Sequence, residues 1–249
     1  KYCFQMISRS FLKSSIVFTL GGALPMVAGI ILLPFYTNLL SDIHYTQLIF
    51  YIGVSLLFQI LFSFSLESYF GVQYTRLSGD EEKQKKFTGT VSILLLGIGV
   101  VLLFTSCLFG QKLFGIIFDK DLDINFWPYG FYSILTAFFN SYFKASSICL
   151  IYLKKSNTFL LVNFINFFAT LIISIGGLHI FPDTIIGPMY GRLLSGLIIF
   201  ILAQYIFAKN GRFVFGKEFL PELIKFCAPY MIFVISGWVL GQIDRYFLQ

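Results

Sequence analysis

The sequence predicts an all-α fold, a polytopic membrane helical bundle of about seven transmembrane helices, and three observations predict it. The 249 residues are 57% hydrophobic and only 12% charged, against about 25% charged in soluble domains. A soluble core of this length has no room for 32 Phe and 14 Tyr beside so many aliphatic residues, so hydrocarbon is the natural solvent for that surface. Seven stretches are apolar over the ~20 residues that a helix needs to cross a bilayer. None alternates strictly or is short enough to be a barrel strand.

In order, the predicted spans are approximately Ser15–Leu40, Leu48–Phe70, Thr88–Phe109, Phe126–Leu153, Thr158–Leu178, Thr184–Phe207 and Leu223–Leu248. The first is too long for the apolar region of a cleaved signal peptide, and no small-residue cleavage site follows it. Its Pro25 and Pro34 are compatible with a kinked helix retained in the membrane. The third span lacks a polar stripe and is expected to face lipid more fully than the others. Gly216–Phe226 mixes Lys217, Glu218, Glu222 and Lys225 with Phe and Leu. Two readings stand for it, a helix along the cytoplasmic interface and an ordinary charged loop. Pro229 loosens the start of the last span. The chain begins with Lys1 rather than Met and stops at Gln249 directly after an apolar run. It is expected to be the first half of a longer protein plus one helix: residues 1–210 a six-helix lobe, 211–225 a cytoplasmic linker with an interfacial helix, and 226–249 the first helix of a second lobe.

Charge fixes the expected orientation. The net charge is +6, and thirteen of the eighteen basic residues fall on one side, in the N-terminal arm and the second, fourth and sixth connections. The other side holds only Lys112 and Lys120, beside Asp42, Asp119, Asp121, Asp123 and Asp183. The excess of Lys and Arg puts the N-terminus in the cytoplasm and removes the need for a nucleic-acid partner to explain the charge.

Five charged residues lie inside apolar spans: Glu67, Lys144, Arg192, Asp244 and Arg245. Each costs roughly 2.5 to over 10 kcal/mol in hydrocarbon unless it meets a partner or water. Helical spacing puts Ser55, Gln59, Ser63 and Glu67 on one face of the second span, and Ser133, Thr136, Asn140, Lys144 and Ser147 on one face of the fourth. Asn163, Asn166, Thr170 and Ser174 do the same in the fifth, and Arg192 and Ser195 lie together in the sixth. Such faces converge either as hydrogen-bonded glue between helices or as the lining of a hydrated cavity. The stripes that carry Glu67 and Lys144 point to the cavity, with Gln59, Ser63, Asn140, Asn163 and Asn166 as its polar lining. Alternatives stay open for each charge. Lys144 is near enough to the cytoplasmic end to snorkel, Arg192 could pair with Glu67 or Asp244, and Asp244 and Arg245 could sit at the outer interface. Gly187 and Gly191, with Gly176–Gly177, mark close helix packing.

Other chemistry is not signalled. Cys3, Cys107, Cys149 and Cys227 are scattered and read as small buried hydrophobes. His44 and His179 fall in short loops without a ligand cluster, so no metal and no cofactor are expected. Gly216-Lys217 lacks the rest of a phosphate loop, and no Ser/His/Asp or HExxH arrangement occurs. A non-enzymatic membrane protein is expected.

Several short segments resemble one family. Leu33-Pro-Phe-Tyr-Thr-Asn-Leu-Leu-Ser41, Lys144-Ala145 before Lys154-Lys155, Leu220-Pro-Glu-Leu-Ile-Lys-Phe-Cys-Ala-Pro229 and Ile243-Asp-Arg-Tyr-Phe-Leu248 resemble, in order and spacing, the N-terminal half of bacterial polysaccharide repeat-unit flippases. These are the O-antigen and capsule flippases of the multidrug/oligosaccharidyl-lipid/polysaccharide exporter superfamily. Tyr45 is followed by Thr46 where the family has glycine. The resemblance implies a two-lobed bundle in the bacterial cytoplasmic (inner) membrane that alternates between inward- and outward-open states. The implied substrate is an undecaprenyl-diphosphate-linked oligosaccharide, flipped for lipopolysaccharide or capsule synthesis. A cationic lumen of Lys144, Arg192 and Arg245 would take the diphosphate, with Glu67 and Asp244 in coupling or ion pairing. Membrane lipid, a polysaccharide polymerase and a chain-length protein are the implied partners. A drug/ion antiporter of the same superfamily, a membrane polysaccharide polymerase and a pathway scaffold are the other readings.

Overall fold

The computed structural model describes residues 9–117 and 124–247, with side chains over 14–116 and 124–241. Lys1, Cys3, Asp119, Lys120, Asp121 and Asp123 lie outside the described residues, as do the side chains of Arg9, Lys13, Asp244 and Arg245. Every regular element among the described residues is helical: α1 (Arg9–Leu39), α2 (Asp42–Ser63), α3 (Leu66–Arg76), α4 (Glu81–Ile117), α5 (Phe131–Tyr152), α6 (Ser156–Ile180), α7 (Ile186–Asn210) and α8 (Leu220–Phe247). Among the described residues, seven spans are long and apolar enough to cross a membrane, α2 and α3 together forming one. The chain is a multi-pass membrane helical bundle.

The second span departs from the continuous helix expected over Leu48–Phe70. It breaks at Phe64 and Ser65, whose φ values of 45° and 55° are left-handed. Neither is glycine, and each such residue costs about 1–3 kcal/mol. The break is stitched locally. Ser63 Oγ donates to the Ile60 carbonyl at 3.1 Å and accepts from the Ser65 amide at 3.3 Å. The Cys227 thiol of α8 donates to the Ser65 carbonyl at 3.8 Å. The Ser55–Gln59–Ser63–Glu67 ladder therefore ends at Ser63, and Glu67 belongs to the first turn of a new helix.

Helix α5 is the axis of the bundle, with 67% of its span buried. It packs against α2, α3, α4, α6 and α7. Lipid offers apolar side chains the same solvent as a protein core, so close van der Waals packing and polar contacts must hold helices together. Helices α6 and α7 achieve this through glycine: a Cβ on Gly187 would lie 2.4 Å from the Gly177 carbonyl carbon, and one on Gly191 would lie 2.2 Å from Ser174 Oγ. Helix α1 leans on α6, where Phe18 meets Phe159 edge-on at 5.2 Å, and touches α2 sparingly. Buried Tyr142 of α5 hydrogen-bonds Ser92 of α4 and donates to Gln204 Oε1 of α7 at 3.1 Å, tying three helices with one phenol. Helix α4 exposes Val100, Val101, Phe104, Leu108 and Ile116. That apolar face suits lipid.

Gly216–Phe226 forms neither a loop nor a separate helix. Lys217–Phe219 make one 3-10 turn that leads directly into α8. The preceding residues 211–216 cross the start of α4 without regular structure, with a tight turn at Phe213 where the Val214 amide meets the Arg212 carbonyl. The Arg212 amide donates to the Lys85 carbonyl at 2.9 Å, and the Gly216 amide donates to Thr90 Oγ1 at 3.0 Å. Gly89 permits this contact, since a Cβ there would meet the Arg212 carbonyl oxygen at 1.8 Å. Ion pairs Lys86–Glu218 at 2.6 Å and Arg212–Glu82 at 3.2 Å flank it.

At the opposite end a small polar cluster joins the α1–α2 turn to the α6–α7 connection. Asp183 Oδ1 accepts from the Ser41 amide at 2.7 Å and lies 3.0 Å from His44 Nδ1. His44 therefore stands in the first turn of α2 with an acidic partner, rather than in a loop. Of the cysteines, Cys149 and Cys227 are buried, while Cys107 is exposed on α4.

Candidate functional site

A cavity of about 540 Å³ lies between α1, α2, α5, α6 and α7. Gln59, Asn140, Lys144, Asn166 and Arg192 of the predicted set line it, with Thr136, Ser147, Thr170 and Ser195 from the same stripes. Part of each polar face of α2, α5, α6 and α7 thus meets at one cavity. The wall from α1 is apolar and small, with Pro25, Ala28, Gly29 and Leu32, and ends in Tyr36.

Two predicted lining residues are elsewhere. Ser63 is spent on the break in the second span. Asn163 is buried and donates from Nδ2 to the Phe159 carbonyl of its own helix at 2.8 Å. It does not line the cavity. Asp244 and Arg245 lie in the last turns of α8, beyond the described side chains.

The charged groups divide unequally. Lys144 Nζ lies 2.8 Å from Glu67 Oε1, with side-chain exposures of 54% and 12%. The lysine head thus reaches open space while the carboxylate stays inside the protein. The second carboxylate oxygen, Oε2, is buried without a hydrogen-bond partner. Glu67 sits in the first turn of α3, where unpaired helix amides favour a negative charge. Arg192 is half-buried and has no carboxylate partner among the described residues. Tyr36 lines the same cavity. The pairing of Arg192 with Glu67, open from the sequence, is not formed, because Glu67 is on Lys144.

Gln59 and Asn140 make no hydrogen bond within the described protein, whereas Asn166 Oδ1 accepts a long one of 3.4 Å from Thr170. Free carboxamides offer a donor and an acceptor side by side. Tyr36, Tyr45, Phe143 and Phe167 add aromatic surface. The sequence reading missed Tyr36 and Tyr45, since a Tyr near a helix end is the usual mark of a membrane interface. The available signal was the run Pro25, Ala28, Leu32, Tyr36 on one face of the first span. The cavity can hold an anion at one or two cations, hydrogen-bond hydroxyls, and stack on flat apolar faces.

Comparison of the chain with protein-family models, with curated proteins and with solved structures gives no match. The functional reading therefore rests on the residues, their geometry and the resemblance of the short segments given above.

Proposed function

We propose that the chain is a substrate-binding lobe of a flippase that moves undecaprenyl-diphosphate-linked oligosaccharide repeat units across the bacterial cytoplasmic membrane by alternating access, with its N-terminus in the cytoplasm, for surface polysaccharide synthesis. The observation that carries the reading is the pair of cations, Lys144 and Arg192, lining one cavity between membrane-spanning helices. A diphosphate is the kind of charge that offsets two cations held in a low dielectric. The free amides of Gln59 and Asn140 suit sugar hydroxyls. The sparse contact between α1 and α2 leaves a side along which a polyprenyl tail can stay in hydrocarbon while its headgroup occupies the cavity. A drug/ion antiporter would offer an acid to a cationic drug. Here the nearest described acid, Glu67, already serves Lys144.

The test is complementation of a deletion strain with the full-length gene, read by accumulation of lipid-linked repeat units and by surface polysaccharide. Lys144→Ala and Arg245→Ala are expected to insert normally, to accumulate lipid-linked sugar and to lose surface polymer. Full export by both variants would overturn the proposal.

A further inference from the structure

The two cavity cations differ in three respects: position along the bundle, partner and freedom. Arg192 is six residues into α7 and Lys144 eight residues before the end of α5, about 9 Å and 12 Å from those ends at 1.5 Å per residue. Helix α7 starts at the Ser41–Asp183 end, and α5 finishes at the opposite, Lys-rich end, so the two cations lie toward opposite ends of the cavity. Lys144 carries an internal counter-ion, and Arg192, which lines the cavity with Tyr36, has no carboxylate partner among the described residues.

We propose that Glu67 is the residue that makes the two cations unequal: Arg192, beside Tyr36, is the open subsite for the diphosphate headgroup, and Lys144 is a latent subsite that accepts the anion only when it releases Glu67. This inference rests on the reading of the cavity as a diphosphate site. A guanidinium presents a planar fork of donors that engages two phosphate oxygens at once, and nothing among the described residues competes for it at Arg192. An anion arriving at Lys144 must displace a carboxylate at 2.8 Å. That carboxylate is only 12% exposed, and its second oxygen is buried without a hydrogen-bond partner, so little water is at hand to replace the lysine. Stripping its cation away leaves an uncompensated charge in a low dielectric. The break at Phe64–Ser65 explains why Glu67 stays where it is. Two left-handed residues, the Ser63 hydroxyl and the Cys227 thiol fix the start of α3, so the acid is held at the lysine by backbone rather than by a flexible reach. The cavity thus has one ready and one conditional anion site, spaced along the direction of transport.

The test is calorimetric titration of the full-length protein in nanodiscs with geranyl diphosphate, with geraniol as the uncharged control. Arg192→Gln is expected to weaken binding by about tenfold or more, the loss of one charged hydrogen-bonding partner, and Lys144→Gln by no more than about threefold. Glu67→Gln, which preserves shape, is expected to tighten binding by about tenfold, and the double variant Glu67→Gln with Lys144→Gln to lose that gain. Equal losses for Arg192→Gln and Lys144→Gln, a Glu67→Gln variant that binds no tighter, or geraniol binding as well as its diphosphate would each overturn the inference. Should Arg192→Gln fold poorly, the dependence of the Glu67→Gln gain on Lys144 decides the matter alone. The expected ranking with intact export in Lys144→Ala and Arg245→Ala would remove the flippase reading and leave the two-subsite assignment. Intact flippase behaviour without the ranking would do the reverse.

Discussion

Single residues carry much of what is distinctive here. Lys144 and Glu67 are 77 positions apart, and no local pattern joins them, yet the fold brings them to 2.8 Å. Their polar faces were legible from spacing, but their partnership was not, because pairing across helices depends on how each helix is rotated. Ser63 was misread for a related reason. Its spacing fits a continuous stripe, but the left-handed pair at Phe64–Ser65 has no Gly or Pro to announce it. Asp183 shows the same contrast in the polar cluster at the α1–α2 turn. Hydrogen bonds from His44 and from the Ser41 amide hold its carboxyl down to about 2 from an ordinary 3.8. A depressed acid contributes its stability above the unfolded value and loses it as pH falls through the folded one. The cluster should therefore be complete above about pH 3.8 and open only toward pH 2. In Asp183→Asn at neutral pH, amide exchange at Ser41–Tyr45 is expected to quicken by roughly tenfold, with exchange in α4 unchanged.

Elements were more legible than their joints. Apolar runs about 20 residues long mark spans because the bilayer sets their length, and that is why seven appear both in the sequence and in the fold. The ends were less accurate: α4 begins at Glu81 rather than Thr88 and runs 37 residues, about 55 Å. Charged residues can extend a helix beyond hydrocarbon, so hydropathy alone does not report its start. Glycine spacing did report the α6–α7 contact, where Gly177 and Gly187 touch backbone to backbone. Gly187→Ala should force these helices apart at a cost of about 1–3 kcal/mol. A thermal shift of the purified protein in detergent would measure it, and Gly22→Ala, with open space at its Cβ, should leave stability unchanged.

At the scale of the whole molecule, the loops rich in Lys and Arg gather at one end, and several of those side chains also pair between elements. Arg76 lies 3.8 Å from Glu222, Lys86 pairs with Glu218, and Lys155 Nζ donates to Asn210 Oδ1 at 2.5 Å. Topology follows the number of Lys and Arg rather than net charge, so these contacts do not weaken the orientation expected from the sequence. Reporter fusions check it: fluorescent protein fused after residue 79 or 155 is expected to glow, and alkaline phosphatase fused after residue 183 to be active. The reverse pattern would invert the bundle. The strap over residues 211–216 has a mechanical meaning as well. It is bonded to α4 at both ends, through Arg212 to Lys85 and through Gly216 to Thr90. Helix α8 itself packs on α2 and α3, so a tilt of α8 is shared between those helices and, through the strap, the start of α4, which Ser92 and Tyr142 join to the helix that carries Lys144.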